Sequence, residues 1–225
     1  MEEVVKKVST GSSGLDELLG GGLEPKMITQ FFGEAGCGKS TLCLVCAVET
    51  ASRGKGVVYI DTEGFSVERF SQIAGDNTEE YAKQMYIVEP ATFAEQGMMI
   101  SESENLVKSG TASLIILDSA TALYRVENME TKDALSMLSQ QMMTLLGISK
   151  KYDVPVIITN QVFMDIERGR LKGLGGTNLS HISKAIIKIE KHEGFRRAVI
   201  SKHRSQPEGR IWDFRIAQSG VEDKK

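Results

Sequence analysis

One short segment combines glycines, a lysine and a serine at the spacing of a phosphate-binding loop. It reads Gly33-Glu34-Ala35-Gly36-Cys37-Gly38-Lys39-Ser40 and matches G-x-x-x-x-G-K-[ST] in full. The glycines let successive backbone N–H groups point at a phosphate, and a helix predicted to begin at Lys39 adds its positive N-terminal end. We expect Lys39 to reach the β- and γ-phosphates and the Ser40 hydroxyl to hold Mg²⁺.

Three further polar side chains follow apolar, strand-like runs. Asp118 follows Leu114 to Leu117, where a carboxylate would anchor the Mg²⁺ shell; the alternative is an aspartate that caps the next turn. Glu63 could polarise an attacking water, and Gln161 could touch the γ-phosphate, although strand-end polar residues are often merely structural.

Apolar, β-branched runs alternate with helix-like stretches along most of the chain. This pattern is typical of a buried parallel sheet with helices on both faces. The predicted strands are 27–32, 57–60, 85–88, 114–117 and 154–158, and the predicted helices are 39–53, 93–109 and 132–151.

The last part of the chain has a different pattern. Three strands, 185–190, 197–202 and 211–216, follow one another with short turns, which predicts an antiparallel extension of the sheet. No repeat or Pro/Ser/Gly-rich linker divides the sequence. The predicted fold class is therefore α/β, a mainly parallel sheet flanked by helices, in one domain over residues 1–225.

The 225 residues carry a formal net charge of −3 and no apolar run long enough to cross a membrane. Residues 1–164 have 13 Lys and Arg against 22 Asp and Glu, whereas residues 165–225 have 14 against 8. A basic surface for a polyanion such as DNA would therefore come from the C-terminal quarter. The alternative is that these charges are spread over a solvated rim.

The three cysteines are too few and too clustered for a disulfide framework, so we expect a cytoplasmic protein. Cys43 and Cys46 have the spacing of a redox or zinc pair. No second pair accompanies them, and they fall on a predicted helix among apolar residues. We therefore interpret them as buried core thiols.

Several motifs resemble the RecA superfamily. The segments 9–11 and 15–22 resemble the lead into the phosphate loop of RecA-type recombinases and KaiC-type ATPases. Tyr59-Ile60-Asp61-Thr62-Glu63-Gly64, Leu117-Asp118-Ser119 and Ile158-Thr159-Asn160-Gln161-Val162 resemble archaeal and eukaryotic strand-exchange recombinases. The resemblance covers Val8 to Val221 and is greatest to the short archaeal paralogues of these recombinases.

The resemblance implies a RecA-like ATPase core that takes ATP and Mg²⁺. It assigns Ser40 and Asp118 to the metal, Glu63 to water activation, and Gln161 to a sensor that joins nucleotide state to DNA loops. Arg69 resembles the arginine that lies against adenine. The phosphate cradle it implies is Gly33, Glu34, Ala35, Gly36, Cys37, Gly38, Lys39, Ser40 and Thr41.

The chain also departs from the full recombinases. Only Met1 to Ser9 precede the core, so we expect neither a separate N-terminal DNA-binding domain nor the Phe-x-x-Ala filament tether. The first DNA loop lacks the Gly-Arg-Gly segment. The second is short but basic, which makes Arg168, Arg170 and Lys172 the candidate DNA-binding residues.

The Lys202-His203-Arg204 segment resembles KaiC and hexameric helicases, which insert such cations into a neighbouring subunit's site. Lys202 and Arg204 are accordingly candidate catalytic residues of a homo-oligomer. The alternative is a solvated hairpin turn.

The resemblance implies a weak DNA-repair ATPase that binds DNA and assists homologous recombination without exchanging strands itself. It also implies a full-length recombinase and a Holliday-junction nuclease as partners, and no membrane. Two alternatives remain open: a KaiC-like signalling ATPase that acts through protein contacts, and a fully active strand-exchange recombinase.

Overall fold

The computed structural model describes residues 6–126, 132–165, 170–173 and 176–224. The strands are β1 (Ile28–Gly33), β2 (Gly56–Asp61), β3 (Met85–Val88), β4 (Ala112–Asp118), β5 (Val156–Asp165), β6 (Arg170–Gly173), β7 (Ala185–His192), β8 (Phe195–His203), β9 (Ile211–Ala217) and β10 (Gly220–Asp223). The α-helices are α1 (Ser13–Leu18), α2 (Lys39–Ser52), α3 (Val67–Ala74), α4 (Thr78–Ala82), α5 (Phe93–Lys108), α6 (Ala122–Val126), α7 (Lys132–Tyr152) and α8 (Gly176–Ile182). A 3₁₀ turn spans Gly75–Asn77.

The described strands form one sheet in the order β10-β9-β8-β7-β1-β5-β4-β2-β3, and β6 pairs with β5 beside this path. The pairs from β7 through β1, β5, β4 and β2 to β3 are parallel, whereas β7 to β10 form antiparallel pairs. The predicted parallel sheet with an antiparallel C-terminal extension is confirmed. The parallel strands end at a common carboxyl edge, with the opposite, amino edge at their starts.

The fifth strand is longer than its apolar run indicated. Its pairing with β1 ends at Gln161, opposite Gly33, but the strand continues to Asp165 because β6 pairs with it from Val162 onward. Gln161 is therefore not the end of a strand. It lies where the strand leaves the main sheet and enters a β5–β6 hairpin.

Two apolar layers, one on each face of the sheet, bury the strands. On one face, α2 and α3 pack onto residues such as Phe31, Tyr59 and Ile187. On the other, α5 and α7 cover Ile115, Ile158 and their neighbours. Alternate residues of a strand point to opposite faces, so continuous apolar runs supply both layers.

A buried amide pair joins α5 to α7. Gln96, which is fully buried, donates from Nε2 to Gln141 Oε1 at 2.7 Å, and Gln141 donates from Nε2 to the Phe93 carbonyl at 2.9 Å. Buried amides need such partners, because an unsatisfied polar group away from water is costly. The pair fixes how the two helices meet.

We expect Gln141→Leu to lower the free energy of unfolding by about 2 kcal/mol, because it removes the closer acceptor of the buried Gln96 amide and leaves it only the Ala120 carbonyl at 3.4 Å. Gln140→Leu is the matched control: it makes the same chemical change at the adjacent, exposed position and should stay within about 0.5 kcal/mol of the parent. Urea unfolding of both variants measures the difference. Equal stabilities would show that the amide pair contributes nothing.

Candidate nucleotide site

The phosphate-loop motif lies between β1 and α2, at the carboxyl edge of the sheet. A Cβ on Gly33 would lie 2.3 Å from the Ile189 carbonyl oxygen, so the backbone passes too close to β7 for any side chain. Gly36 and Gly38 have φ values of 67° and 106°, which L-residues rarely adopt. The glycines therefore set the path of the loop, as predicted.

Lys39 is buried at the first turn of α2. Its ammonium donates to the carbonyls of Gly33 and Glu34, each at 3.0 Å, so the loop wraps around this cation. Ser40 is exposed and Thr41 half-buried on the same turn. The positive helix end, the ammonium and the exposed hydroxyl meet at one place, which fits an anionic phosphate chain with a bound cation.

Asp118 ends β4 and is only 4% exposed. Its carboxylate accepts hydrogen bonds from the Tyr59 hydroxyl on β2, at 2.8 Å, and from the Thr159 hydroxyl on β5. Within the ranges that the structure describes, Asp118 makes no ion pair. A buried carboxylate that is held only by neutral hydroxyls is the kind of ligand that Mg²⁺ prefers.

Glu63 is exposed just beyond β2. Its Oε1 accepts hydrogen bonds from Gln161 Nε2 at 2.6 Å and from Ser119 Oγ at 2.8 Å. The structure thus brings together two residues that the sequence singled out 98 positions apart. Both donors bind Oε1. No described side chain donates to Oε2.

Thr62 and Ser119 position this network, and the sequence analysis assigned no role to either. Thr62 Oγ1 accepts from the Ser119 N–H at 2.8 Å and donates to the Ser119 carbonyl at 3.0 Å. The loops after β2 and β4 are therefore fastened to each other. Their places directly after Asp61 and Asp118 were the only signal in the sequence.

Two residues of the antiparallel extension flank the phosphate loop and were also missed. The Lys191 ammonium lies 3.7 Å from the place of a Cβ on Gly36, and the Ile216 Cδ1 lies 3.1 Å from that of Gly38. Lys191 is exposed and forms no ion pair with a described residue. A second cation therefore stands beside the loop, contributed by β7.

Arg69 lies in the first turn of α3 and binds the turn between β9 and β10. Its guanidinium donates to the carbonyls of Ala217, Gln218 and Gly220 at 2.8–3.0 Å. The same turn follows Ile216, which lies against the phosphate loop. Arg69 is thus joined to the loop through this turn, and its contact with adenine stays a prediction.

Comparison with known proteins identifies the family. The Rad51 family profile matches residues 1–224. The chain is 57% identical to the DNA repair and recombination protein RadB of Methanoculleus marisnigri, over 96% of this chain and 97% of that protein. It belongs to the RadB branch of the RecA/Rad51 family. The RadB of Methanococcoides burtonii is 44% identical over 98% of this chain and 100% of its own.

A solved structure agrees with this assignment. The crystal structure of the RadB recombinase superposes with a TM-score of 0.83 at 38% identity, and the match covers 96% of this chain and 99% of that one. The prediction of a short archaeal paralogue with a RecA-like core is therefore confirmed.

Lys202 and Arg204 lie at the amino edge of the sheet, away from the chain's own phosphate loop. Lys202 is in β8, opposite Ile186, and its ammonium donates to the carbonyls of Ser180 and Ser183. Arg204 donates to the buried Glu24 carboxylate at 2.6 Å. In this RadB-family chain neither cation faces Lys39, so the role predicted for them needs a second subunit.

Two of the three candidate DNA-binding residues fall on the β5–β6 hairpin. Arg170 and Lys172 lie on β6, where they pair in register with Asp165 and Phe163, whereas Arg168 lies outside the described residues. Because β5 runs from Gln161 into this hairpin, the hairpin is continuous with the nucleotide site.

Burial decides between the interpretations of Cys43 and Cys46. Cys43 and Cys46 are fully buried, and burial raises the pKa of both thiols, so they are core residues.

Across the described parts of the chain, no cluster of three or more His, Cys, Asp or Glu side chains could hold a metal ion. None of the helices seen there is long and apolar enough to cross a membrane.

Asp61 is a buried carboxylate next to the site, opposite Asp118 in the β2–β4 register. Burial raises its pKa to about 6, and the like charge of Asp118 acts in the same direction, while the Gly64 N–H, 2.7 Å away, opposes them. The folded protein therefore binds a proton at Asp61 that the unfolded chain releases near pH 4.

We expect the stability of the parent relative to Asp61→Asn to fall as pH rises from 4 to about 7 and then to level off. The sign follows because the folded state binds more protons than the unfolded state in that window. Urea unfolding across this pH range, without nucleotide or Mg²⁺, measures the effect, and the exposed Asp76→Asn serves as the reference. A stability difference that is constant with pH would contradict the raised pKa of Asp61.

Proposed function

We propose that this protein binds ATP with Mg²⁺, hydrolyses it slowly and binds DNA, and that it assists homologous recombination and DNA repair without strand exchange of its own. The printed function of its RadB relatives, DNA repair and recombination, supports the biological role. One observation carries the coupling: the Gln161–Glu63 hydrogen bond joins the nucleotide site to the strand that enters the β5–β6 hairpin.

The phosphate chain would lie in the cradle from Gly33 to Thr41. Lys39 is already oriented toward this cradle by two loop carbonyls, and a phosphate oxygen would compete for the same ammonium protons. Ser40 and Asp118 would hold Mg²⁺. When bound, the ion would neutralise charge on the β- and γ-phosphates.

Glu63 would accept the proton of the attacking water. Ser119 and Gln161 fix its carboxylate through Oε1 and leave Oε2 to act as the base. Glu63 is exposed at the carboxyl edge of the sheet, so the site would exclude water poorly. This agrees with slow hydrolysis.

DNA would be bound through phosphate contacts by the basic hairpin, with Arg168, Arg170 and Lys172 as its cations. A change at the γ-phosphate would keep or break the hydrogen bond between the Gln161 amide and the Glu63 carboxylate. Gln161 would pass that change along β5. The short hairpin and the absence of a Gly-Arg-Gly segment support binding without strand exchange.

The family resemblance extends the proposal to assembly. Lys202 and Arg204 would act on a neighbouring subunit's nucleotide in a homo-oligomer, after Arg204 leaves Glu24. A full-length recombinase and a Holliday-junction nuclease are the proposed partners, and the cytoplasm is the proposed compartment.

We expect Glu63→Gln to bind a fluorescent ATP analogue with the parent affinity but to release phosphate at least about 100-fold more slowly, since an amide cannot accept the water proton. Glu79→Gln is the control: it makes the same change in an exposed side chain on α4, outside the residues assigned to the site, and should keep the parent rate. Lys39→Ala removes the loop's ammonium and should lose nucleotide binding. It therefore gives the fluorescence signal that is expected when the ATP analogue is not bound. Parent turnover in Glu63→Gln would assign the base to another residue.

We expect Gln161→Ala to keep nucleotide binding but to lose the effect of ATP on DNA affinity, because the contact between Glu63 and the hairpin strand is removed. The measurement is the ratio of oligonucleotide affinities with and without ATP, by fluorescence anisotropy. Ser119→Ala removes the other donor to Glu63 without touching β5, so it should keep that ratio. An unchanged ratio in Gln161→Ala would refute the coupling route.

A further inference from the structure

A cleft of about 490 Å³ opens at the amino edge of the sheet, on the side opposite the phosphate loop. It lies between the chain segment before α1, the end of α2, the loops that lead into β1, β2 and β5, and the start of β4. We call it the amino-edge cleft. The sheet separates it from the residues of the same chain that the proposed function places around that chain's own nucleotide.

Basic side chains dominate the lining. A single carboxylate, that of Asp153, is among the lining residues. The cations that line the cleft are Lys6, Lys7, Lys26, Arg53, Lys55 and Arg204. This concentration of positive charge contrasts with the net charge of −3 of the whole chain.

Two of these cations serve the fold. Glu24 is 4% exposed and is held by Lys7 at 3.1 Å and by Arg204 Nε at 2.6 Å. A buried carboxylate needs such partners, because removing one leaves an uncompensated charge. In this structure Lys7 and Arg204 are paired with Glu24, so the positive charge available to a ligand of the cleft comes from the other four cations.

Those four are weakly compensated. Lys26 pairs with Asp153 at 3.5 Å, with both side chains more than half exposed, and Arg53 pairs with Glu49 one helical turn away on α2. Exposed pairs of this kind contribute little and are readily exchanged for another anion. Lys6 and Lys55 are exposed and form no ion pair with any described residue.

The lining also indicates the kind of partner. No aromatic ring lines the cleft, and its apolar residues are aliphatic: Val8, Pro25, Val154 and Pro155. A protein partner would need an aromatic or apolar pocket as an anchor, and sequence-tolerant base binding would need a stacking platform. A phosphate backbone needs only closely spaced cations.

We propose that the amino-edge cleft is a second DNA contact, which binds the phosphate backbone of a single strand. A single strand is flexible enough to follow the cleft, whereas a duplex is stiff over about 150 base pairs. The inference rests on the DNA binding of the proposed function and adds a surface to it, on the edge of the sheet away from the β5–β6 hairpin. Because the two surfaces share no residue, a substitution at one leaves the side chains of the other unchanged.

The test is a triple variant, Lys6→Gln, Arg53→Gln and Lys55→Gln, which spares the two partners of Glu24. The matched control, Lys83→Gln, Lys108→Gln and Lys150→Gln, removes the same charge from exposed positions outside the cleft. Fluorescence anisotropy with labelled oligo(dT) gives the affinity over a range of salt concentrations. A thymine strand minimises base-specific contacts.

We expect the cleft variant to bind oligo(dT) about tenfold more weakly at low salt, and its log–log salt slope to be shallower by about 2, which corresponds to three lost single-strand phosphate contacts. The control should keep the parent slope. A cleft variant with the same slope as the control would overturn the inference while leaving the proposed function intact. A parent protein that does not bind oligo(dT) would overturn the proposed DNA binding itself.

Lys55→Glu alone is the second variant. Its side chain has no hydrogen bond or ion pair within the described chain, so folding should be unaffected, as binding of a fluorescent ATP analogue would verify. We expect a slope shallower than the parent's by about 0.7 or more. An unchanged slope in this variant would overturn the cleft as a DNA contact.

Discussion

The carboxylate of Asp118 is the group on which the site depends. It is buried between β2 and β5 and accepts a hydroxyl hydrogen bond from each. A carboxylate at this depth is tolerated only when its acceptor sites are occupied, and the hydroxyls of Tyr59 on β2 and Thr159 on β5 supply the hydrogen bonds at the end of β4. That alignment places the phosphate loop, Glu63 and Gln161 along one edge.

From this edge the polar network extends outward and becomes more exposed. Thr62 and Ser119 fasten the loops after β2 and β4, and Ser119 and Gln161 then orient the exposed Glu63. The buried end of the network is rigid because it is inside the sheet. The exposed end depends on two hydrogen bonds to a single oxygen, and in the proposed function it would respond to a bound nucleotide and to the hairpin that begins after Gln161.

The two edges of the sheet carry different chemistry. The carboxyl edge combines carboxylates with the positive end of α2 and the ammonium groups of Lys39 and Lys191. The amino edge gathers cations around the buried Glu24. Residues far apart in sequence build this second surface, which is why the small net charge of the chain does not reveal it. The charge excess of the C-terminal quarter accounts for Arg204 alone among the cleft cations.

Local patterns in the sequence determined the order of strands and helices along the chain. Apolar runs and helix-like stretches predicted β1 to β4, the start of β5, α2, α5 and α7 within a few residues, because burial on both faces leaves a continuous apolar signature. The phosphate loop was equally evident, since glycine, lysine and serine must occur at fixed spacing. Short elements such as α1 and β10 were missed because a few residues carry too little periodicity.

Only the tertiary structure decided which side chains meet. The extension of β5 beyond Gln161 depends on pairing with β6, and the orientation of Glu63 depends on donors 56 and 98 residues away. Arg204 looked like a free cation in sequence but is bound to Glu24, and Lys191 lies beside the phosphate loop because β7 pairs in parallel with β1. Spacing along the chain records local geometry, whereas contacts between distant residues follow from the strand order of the sheet, which no single segment encodes.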